Sequence, residues 1–347
     1  MIVLVRFLKY KYKFKAQCIL GFLFFLCSCS QSRYLSEFNG KTMGTTYSIK
    51  IISDYIIDKQ NISYQIDSLL LEINNQMSTW DLNSEISKFN LNHSDTLIDL
   101  SSDFFAVVKE AIKISSKTEG AFDITIFDLM SLWGFGPNPK TGIPENNQIK
   151  DVLNITGWKK ITLDNGNIRK LNPNIKLDLN AIAKGYGVDK VHQEIIDLGF
   201  KDIFVEIGGE VKCSGKNNYN KKWRVGIENP NILDNDIIAI VNLNNKAMAT
   251  SGNYRNFIDL EGTVLGHTID PRIGLPIRSN ILSATVISSS CIKADAWATA
   301  LMVLDYKNGK EKIKSDIDLD AIWVLDKGNG NYSIEKTEGI NLTKIKS

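Results

Sequence analysis

The sequence holds only three histidines, His93, His192 and His267, with no H-x-x-x-H spacing, and it has no CxxC pair, which argues against a zinc site. No G-x-x-x-x-G-K-[ST] stretch occurs, so a P-loop is excluded, and no G-x-S-x-G elbow marks a serine hydrolase. The nearest approach to a dinucleotide fingerprint, Gly134-Phe-Gly-Pro-Asn-Pro139, puts prolines where a helix should open and reads as a turn. Internal repeats, low-complexity tracts and long Pro/Gly linkers are also missing. What remains for an enzyme is chemistry with oxygen ligands and a hard cation.

Acidic residues are absent from the start of the chain. Arg6, Lys9, Lys11, Lys13 and Lys15 precede a short apolar run from Cys18 to Leu26. That run is too short for a stable transmembrane helix and matches the apolar core of a secretory signal. It ends in Leu26-Cys27-Ser28-Cys29, which resembles a bacterial lipobox with Cys29 as the lipidated residue. The expected organisation is a signal peptide over residues 1–28, a lipid-anchored polar tether over 29–36, and a single domain over 37–347. The protein would then sit outside the cytoplasm, anchored to a membrane by acyl chains.

Loss of the five basic residues takes the net charge from +2 to about −3. A mildly acidic chain with no basic cluster is a poor nucleic-acid binder. Of five cysteines, only Cys213 and Cys291 stand clear of the leader. They could pair in an oxidising compartment, but two small buried hydrophobes is the preferred reading.

Apolar spacing predicts helices over residues 59–76, 84–89, 102–117 and 183–198, and another capped by Ser288–Ser290 that runs to about Leu304. Alternation and β-branched content predict strands over 43–52, 176–179, 203–207, 223–227, 237–241, 247–250, 257–258 and 284–287. Strands outnumber helices and many are close enough for antiparallel pairing. The fold class is therefore α+β, with mixed or antiparallel sheets and packed helices, rather than a doubly wound parallel sheet.

Three local features carry chemistry. Asp295-Ala-Trp-Ala-Thr299 places a carboxylate and a hydroxyl four residues apart on one helix face, a pair suited to Mg²⁺, which takes few protein ligands. Alone, such a pair is more often a solvated helix face. Gly266-His267-Thr-Ile-Asp270-Pro-Arg-Ile-Gly274 frames a histidine in a polar loop, placed for proton transfer or simply bonded to Asp270. Leu177-Asp-Leu-Asn-Ala-Ile-Ala-Lys-Gly-Tyr-Gly-Val-Asp189 enters a helix where backbone groups can meet an anion, with Lys184 nearby.

Taken in order, these pieces resemble the ApbE family, the FAD:protein FMN transferases. The motifs that carry the resemblance are Met43-Gly-Thr-Thr-Tyr47, Met77-Ser-Thr-Trp-Asp81, Gly120-Ala-Phe-Asp-Ile-Thr125, Asp178-Leu-Asn-Ala-Ile-Ala-Lys-Gly-Tyr186, Glu206-Ile-Gly-Gly209, Ala249-Thr-Ser-Gly252, the His267 loop and Ala294-Asp-Ala-Trp-Ala-Thr-Ala-Leu301. The resemblance implies two lobes around an FAD cleft and Mg²⁺-dependent transfer of FMN from FAD to a Thr or Ser hydroxyl of an acceptor protein, with release of AMP. Mg²⁺ would sit on Asp295, Thr299 and the carbonyl of Ala181. FAD would meet Met43, Thr79, Trp80, Asp81, Asp123, Lys184, Gly208, Gly209, Ser251 and Gly252, and His267 would be the base. Acceptors of the Rnf or Nqr subunit kind, or exported flavoproteins, are what the family suggests. Ile124 stands where the family usually has Pro, Asn180 replaces a frequent Gly, and Trp80 replaces a common Tyr. With water in place of the acceptor, the same site would hydrolyse FAD to FMN and AMP. A lipoprotein that only holds FAD is the remaining alternative.

Overall fold

The computed structural model describes residues 33–94, 96–230, 236–252, 257–260, 263–266 and 268–345. Cys29 and His267 lie outside the described residues.

Strands β1 (Tyr34–Thr42) and β2 (Thr45–Ser53) form a hairpin on Met43 and Gly44, both with positive φ (49° and 70°). Two successive positive φ values suit the right-handed twist of the flanking strands. Two expectations are corrected here. The tether was to reach Ser36, yet Tyr34, Leu35 and Ser36 already pair with Ser53, Ile52 and Ile51. The strand was to begin at Met43, yet Met43 and Gly44 are the turn.

The hairpin opens an eight-stranded sheet in the order β1-β2-β6-β7-β10-β15-β16-β17. Its further members are β6 (Asp202–Ile207), β7 (Glu210–Ser214), β10 (Ala247–Gly252), β15 (Ile281–Ser288), β16 (Asp320–Gly328) and β17 (Asn331–Lys336). Every pairing among the described residues is antiparallel, and the fold class is α+β as expected.

Side-chain alternation divides the sheet into two faces. Ala321, Trp323 and Leu325 of β16 enter one core, while Ile322 and Val324 between them enter another. The first face is covered by helices: α1 (Lys59–Met77), α2 (Glu85–Leu91), α3 (Ser102–Lys117), α6 (Ala183–Asp197) and α7 (Cys291–Val303). The second carries a small sheet in the order β18-β9-β8, made of β8 (Trp223–Glu228), β9 (Ile237–Leu243) and β18 (Leu342–Lys344).

Ser84 and Ser101 cap α2 and α3 through their hydroxyls. Helix α7 is buried nearly all round, with Ala294, Ala296, Ala298 and Ala300 giving the small cross-section that lets it lie between α6 and the sheet. A helix apolar on every side belongs inside a core.

Residues 176–179 are not a strand. Leu177 instead exchanges bonds with the Asn90 side chain (2.7 and 2.9 Å), and the Asp178 amide donates to the Ile124 carbonyl at 2.7 Å. With its backbone groups satisfied this way, the segment needs no sheet partner. Cys213 and Cys291 are buried and unpaired, so the hydrophobe reading stands.

Candidate active site

The α6–α7 contact builds the centre of the site. A Cβ on Gly185 would come within 2.7 Å of Asp295 Cβ and would collide with the Cys291 carbonyl, so only glycine lets the two helices approach this closely. At that distance the Gly185 amide donates to Asp295 Oδ2 at 2.9 Å. In a regular helix that amide would bond the carbonyl four residues back, which is Ala181. The Ala183 and Tyr186 amides donate in the helical manner to Leu179 and Ile182. Gly185 is the third residue of α6, where an amide lacks an intrahelical partner, so Asp295 caps it from α7, and Ala181, where a third oxygen ligand was expected, stands just ahead of the helix.

Thr299, one turn along α7 from Asp295, lies 3.1 Å from the Ser251 hydroxyl at the end of β10. Lys184 Nζ is 3.3 Å from Glu210 Oε1, the first residue of β7. Glu210 Oε2 is buried with no partner among the described residues. Burial alone would discharge Lys184, but Asp295 and Glu210 outweigh it and hold the ammonium charged. Burial raises both carboxyls above their ordinary range, and Lys184 opposes this for each. One ammonium cannot neutralise two buried carboxylates, and such a charge is costly unless compensated.

These groups share a cavity of about 1070 Å³. That is at the upper end of the range typical of small-molecule sites and suits a ligand of dinucleotide size. Met43, Trp80, Asp123, Ala181, Lys184, Gly208, Gly209, Ser251, Gly252, Asp295 and Thr299 all line it, as do Thr268, Ile269 and Pro271 next to His267. Thr79 and Asp81 do not line it. Thr79 is buried with an unpartnered hydroxyl, and Asp81 accepts from the Asn83 amide at 2.8 Å.

Local geometry refines several roles. Met43 packs on α6, where a Cβ at Gly187 would come within 2.8 Å of its terminal methyl. Trp80 presents a ring 67% exposed at the cavity wall. Asp123 borders the cavity, but its oxygens already accept from Thr125 (2.8 and 2.6 Å) and from the Trp158 amide (2.8 Å), so it chiefly fastens the wall. The Gly208-Gly209 turn, with φ of 60° and 102°, has both amides engaged, Gly208 to the Thr46 carbonyl (3.0 Å) and Gly209 to Glu206 (2.7 Å). It serves by clearance, since a Cβ at Gly208 would come within 2.8 Å of Thr45 Cγ2. Asp270, a possible partner of His267, binds Arg272 through Nε and Nη2 at 2.8 and 2.7 Å.

Sequence reasoning missed that Glu210, Asp178 and the correctly expected strand β8 also line the cavity. Asp178 was in view inside a motif, and it is buried with its own Asn180 amide as donor (2.8 Å). Glu210 gave only the signal of a carboxylate directly after a Gly-Gly turn.

The donor set fits a hard cation. Asp295, Thr299 and the Ala181 carbonyl offer oxygen alone, and a cation there would favour the charged forms of the two carboxyls that burial raises.

The sequence profile described as the ApbE family matches residues 43–323. Two curated proteins named FAD:protein FMN transferase are similar along most of their length. The one from Vibrio cholerae is 39% identical over 292 residues, 84% of this chain and 87% of its own. The one from Haemophilus influenzae is 36% identical over 332 residues, 93% of this chain and 92% of its own. Among solved structures, the flavin transferase ApbE from Vibrio cholerae superimposes with a TM-score of 0.80 at 35% identity, covering 88% of this chain and 98% of that one. The apo flavinyl transferase ApbE of Pseudomonas stutzeri gives 0.80 at 31% identity, covering 88% and 95%.

Proposed function

This chain belongs to the ApbE family, and from that premise and the geometry of the cavity we propose that it transfers FMN from FAD to a Thr or Ser hydroxyl of a partner protein. One observation carries the reading: the Gly185 amide fastens α6 to Asp295 of α7, so that Ala181, Lys184, Asp295 and Thr299 line one cavity large enough for a dinucleotide.

In this reaction the acceptor oxygen attacks the FMN-side phosphorus. The bond from that phosphorus to the bridging oxygen breaks, and AMP leaves with the oxygen. The acceptor's proton passes to His267, the base that the family pattern assigns. Little covalent work falls to the protein, so positioning and charge decide the rate. Mg²⁺ held by Asp295, Thr299 and the Ala181 carbonyl would supply positive charge against the pyrophosphate. Lys184, kept charged by its two carboxylate neighbours, adds a fixed cation. Gly208 lets the substrate approach the backbone, while Met43 and Trp80 provide apolar and aromatic walls.

The reading also includes display of the site outside the cytoplasm, on lipid attached to Cys29. Mass analysis of membrane-extracted protein tests that attachment, and an unacylated Cys29 would end it.

The decisive assay incubates the protein with FAD, Mg²⁺ and a candidate acceptor of the Rnf or Nqr subunit kind or an exported flavoprotein. The acceptor should gain the mass of FMN less one water while AMP appears in equal amount. FMN and AMP without a labelled acceptor would mean hydrolysis, and FAD binding without AMP would mean a carrier. His267→Ala should slow transfer about 10²–10⁴-fold with FAD binding retained. Full activity in that variant would remove His267 from its role.

A further inference from the structure

One wall of the cavity carries none of the residues expected at FAD. Those residues gather on the β1–β2 turn, the link after α1, the wall at Asp123, the β6–β7 turn, the end of β10 and the floor made by α6 and α7. Elsewhere the cavity is bordered by Arg224, Val225, Gly226, Ile227 and Glu228, five consecutive residues of β8. Successive side chains of a strand point to opposite faces. Val225 and Ile227 turn to the core between the sheets, so a cavity that also meets Arg224 and Gly226 reaches round the strand's edge.

The topology agrees. β8 is the outer strand of its small sheet, and among the described residues it pairs only with β9. From Arg224 to Ile227 such an edge presents N–H and C=O groups that can pair with another chain. The wall beside it is apolar where Phe204, Val211 and Met248 face the cavity.

We propose, on the premise of the FMN transfer argued above, that the acceptor protein enters as an extended segment paired to the edge of β8. The acceptor hydroxyl has to reach a phosphorus inside a cavity of about 1070 Å³ that also receives FAD. A strand adds at a spacing of only about 4.8 Å from its neighbour, whereas a helix with side chains is about 10–12 Å across. The extended segment is the form that fits. Backbone bonds to β8 give the affinity, and alternate side chains against Phe204, Val211 and Met248 give selectivity.

The test uses the unaltered protein with FAD and Mg²⁺. A protein that it flavinylates is taken first, and then a peptide spanning the modified Thr or Ser, with single backbone N-methyl groups placed at each position in turn. Edge pairing predicts that every second N-methyl raises the peptide KM roughly three- to tenfold, the worth of one hydrogen bond, with the KM for FAD unchanged. A flat or non-alternating profile would overturn the proposal. So would a peptide that is never labelled although the whole acceptor is, because recognition would then lie in a folded surface. If no protein is flavinylated at all, the transfer reading itself fails, a result distinct from either.

Discussion

Two clusters of carboxylates and lysines in this protein, one half-buried and one buried, use the same residue types to opposite ends. Behind α7, Asp316 and Asp318 meet Lys117, Lys246 and Lys293. Asp318 also accepts from the Ser288 and Ser289 hydroxyls and the Ser289 amide. Burial pushes both carboxyls up, but these donors outweigh it: Asp316 falls to about 2, and Asp318 lies well below the carboxylate range. In the cavity, Asp295 and Glu210 share one lysine, and their range moves upward. Donors exceed needs in the first cluster and fall short in the second. A saturated cluster holds elements together, and an unsaturated one has binding capacity left for a cation or an anionic substrate's counter-charge.

The sharpest way to break this contrast is a crossed pair of isosteric substitutions. Asp295→Asn should cut Mg²⁺-dependent transfer by at least about a hundredfold, since even outer-shell partners of a metal are worth about 10–100-fold. Its thermal stability without metal should hold or rise, because an undercompensated buried charge disappears. Asp318→Asn should do the reverse. Transfer stays near normal, while stability drops by about 1–3 kcal/mol, less than the ~3–5 of a fully buried pair because a quarter of its side chain is exposed (25%). Parallel assays of flavin transfer and denaturant unfolding decide. If both variants lose stability and activity together, the two clusters do not differ in kind.

Much of this was legible in the sequence, and the reasons for the rest are specific. Helices α2 and α3 announce themselves by serine caps and apolar spacing, and β6 and β15 by β-branched runs. The Asp295/Thr299 pair is legible because helical spacing alone puts both on one face. Strand β1 is not, because YLSEFNGKT is largely polar and its role depends on the partner β2. Residues 176–179 have a strand's composition, but Asn90 and Ile124 take their backbone bonds, a tertiary override of propensity. The pairing of Lys184 with Glu210 depends on where the β6–β7 turn lands. The bond from the Gly185 amide to Asp295 depends on a contact between helices that local pattern does not record.

That contact gives the second way to sharpen the comparison. Gly185→Ala places a methyl 2.7 Å from Asp295 Cβ, between two backbones that cannot easily part. Overpacking of this kind costs about 1–3 kcal/mol. The methyl pushes directly on Asp295, so the carboxylate is displaced and Mg²⁺ affinity should fall with stability. Gly44→Ala is the control. It has φ of 70° and nothing near its Cβ, so it costs only backbone strain, about 1–2 kcal/mol, and should leave Mg²⁺ affinity alone. Isothermal titration with Mg²⁺ separates the two; equal losses of affinity would deny Gly185 its special position.

The smallest expected effect is a pH dependence confined to the saturated cluster. Asp316 ionises near 2 in the folded protein and near 3.8 when unfolded. Above about pH 4 it is charged in both states, and its ion pairs with Lys117 and Lys293 contribute in full. As pH falls from there, the unfolded chain takes up the proton first, so stability declines, and the contribution is gone once pH has passed through about 2. Screening by solvent limits the loss to about 1 kcal/mol. Asp316→Asn should therefore flatten part of the acid limb of the stability curve while barely altering its height at about pH 2 or below. Urea unfolding between pH 2 and 6, on the metal-free protein, measures both limbs. An Asp316→Asn curve parallel to the parent across that whole range would mean that the lysines do not hold this carboxylate down, and the distinction between the two clusters would rest on Asp318 alone.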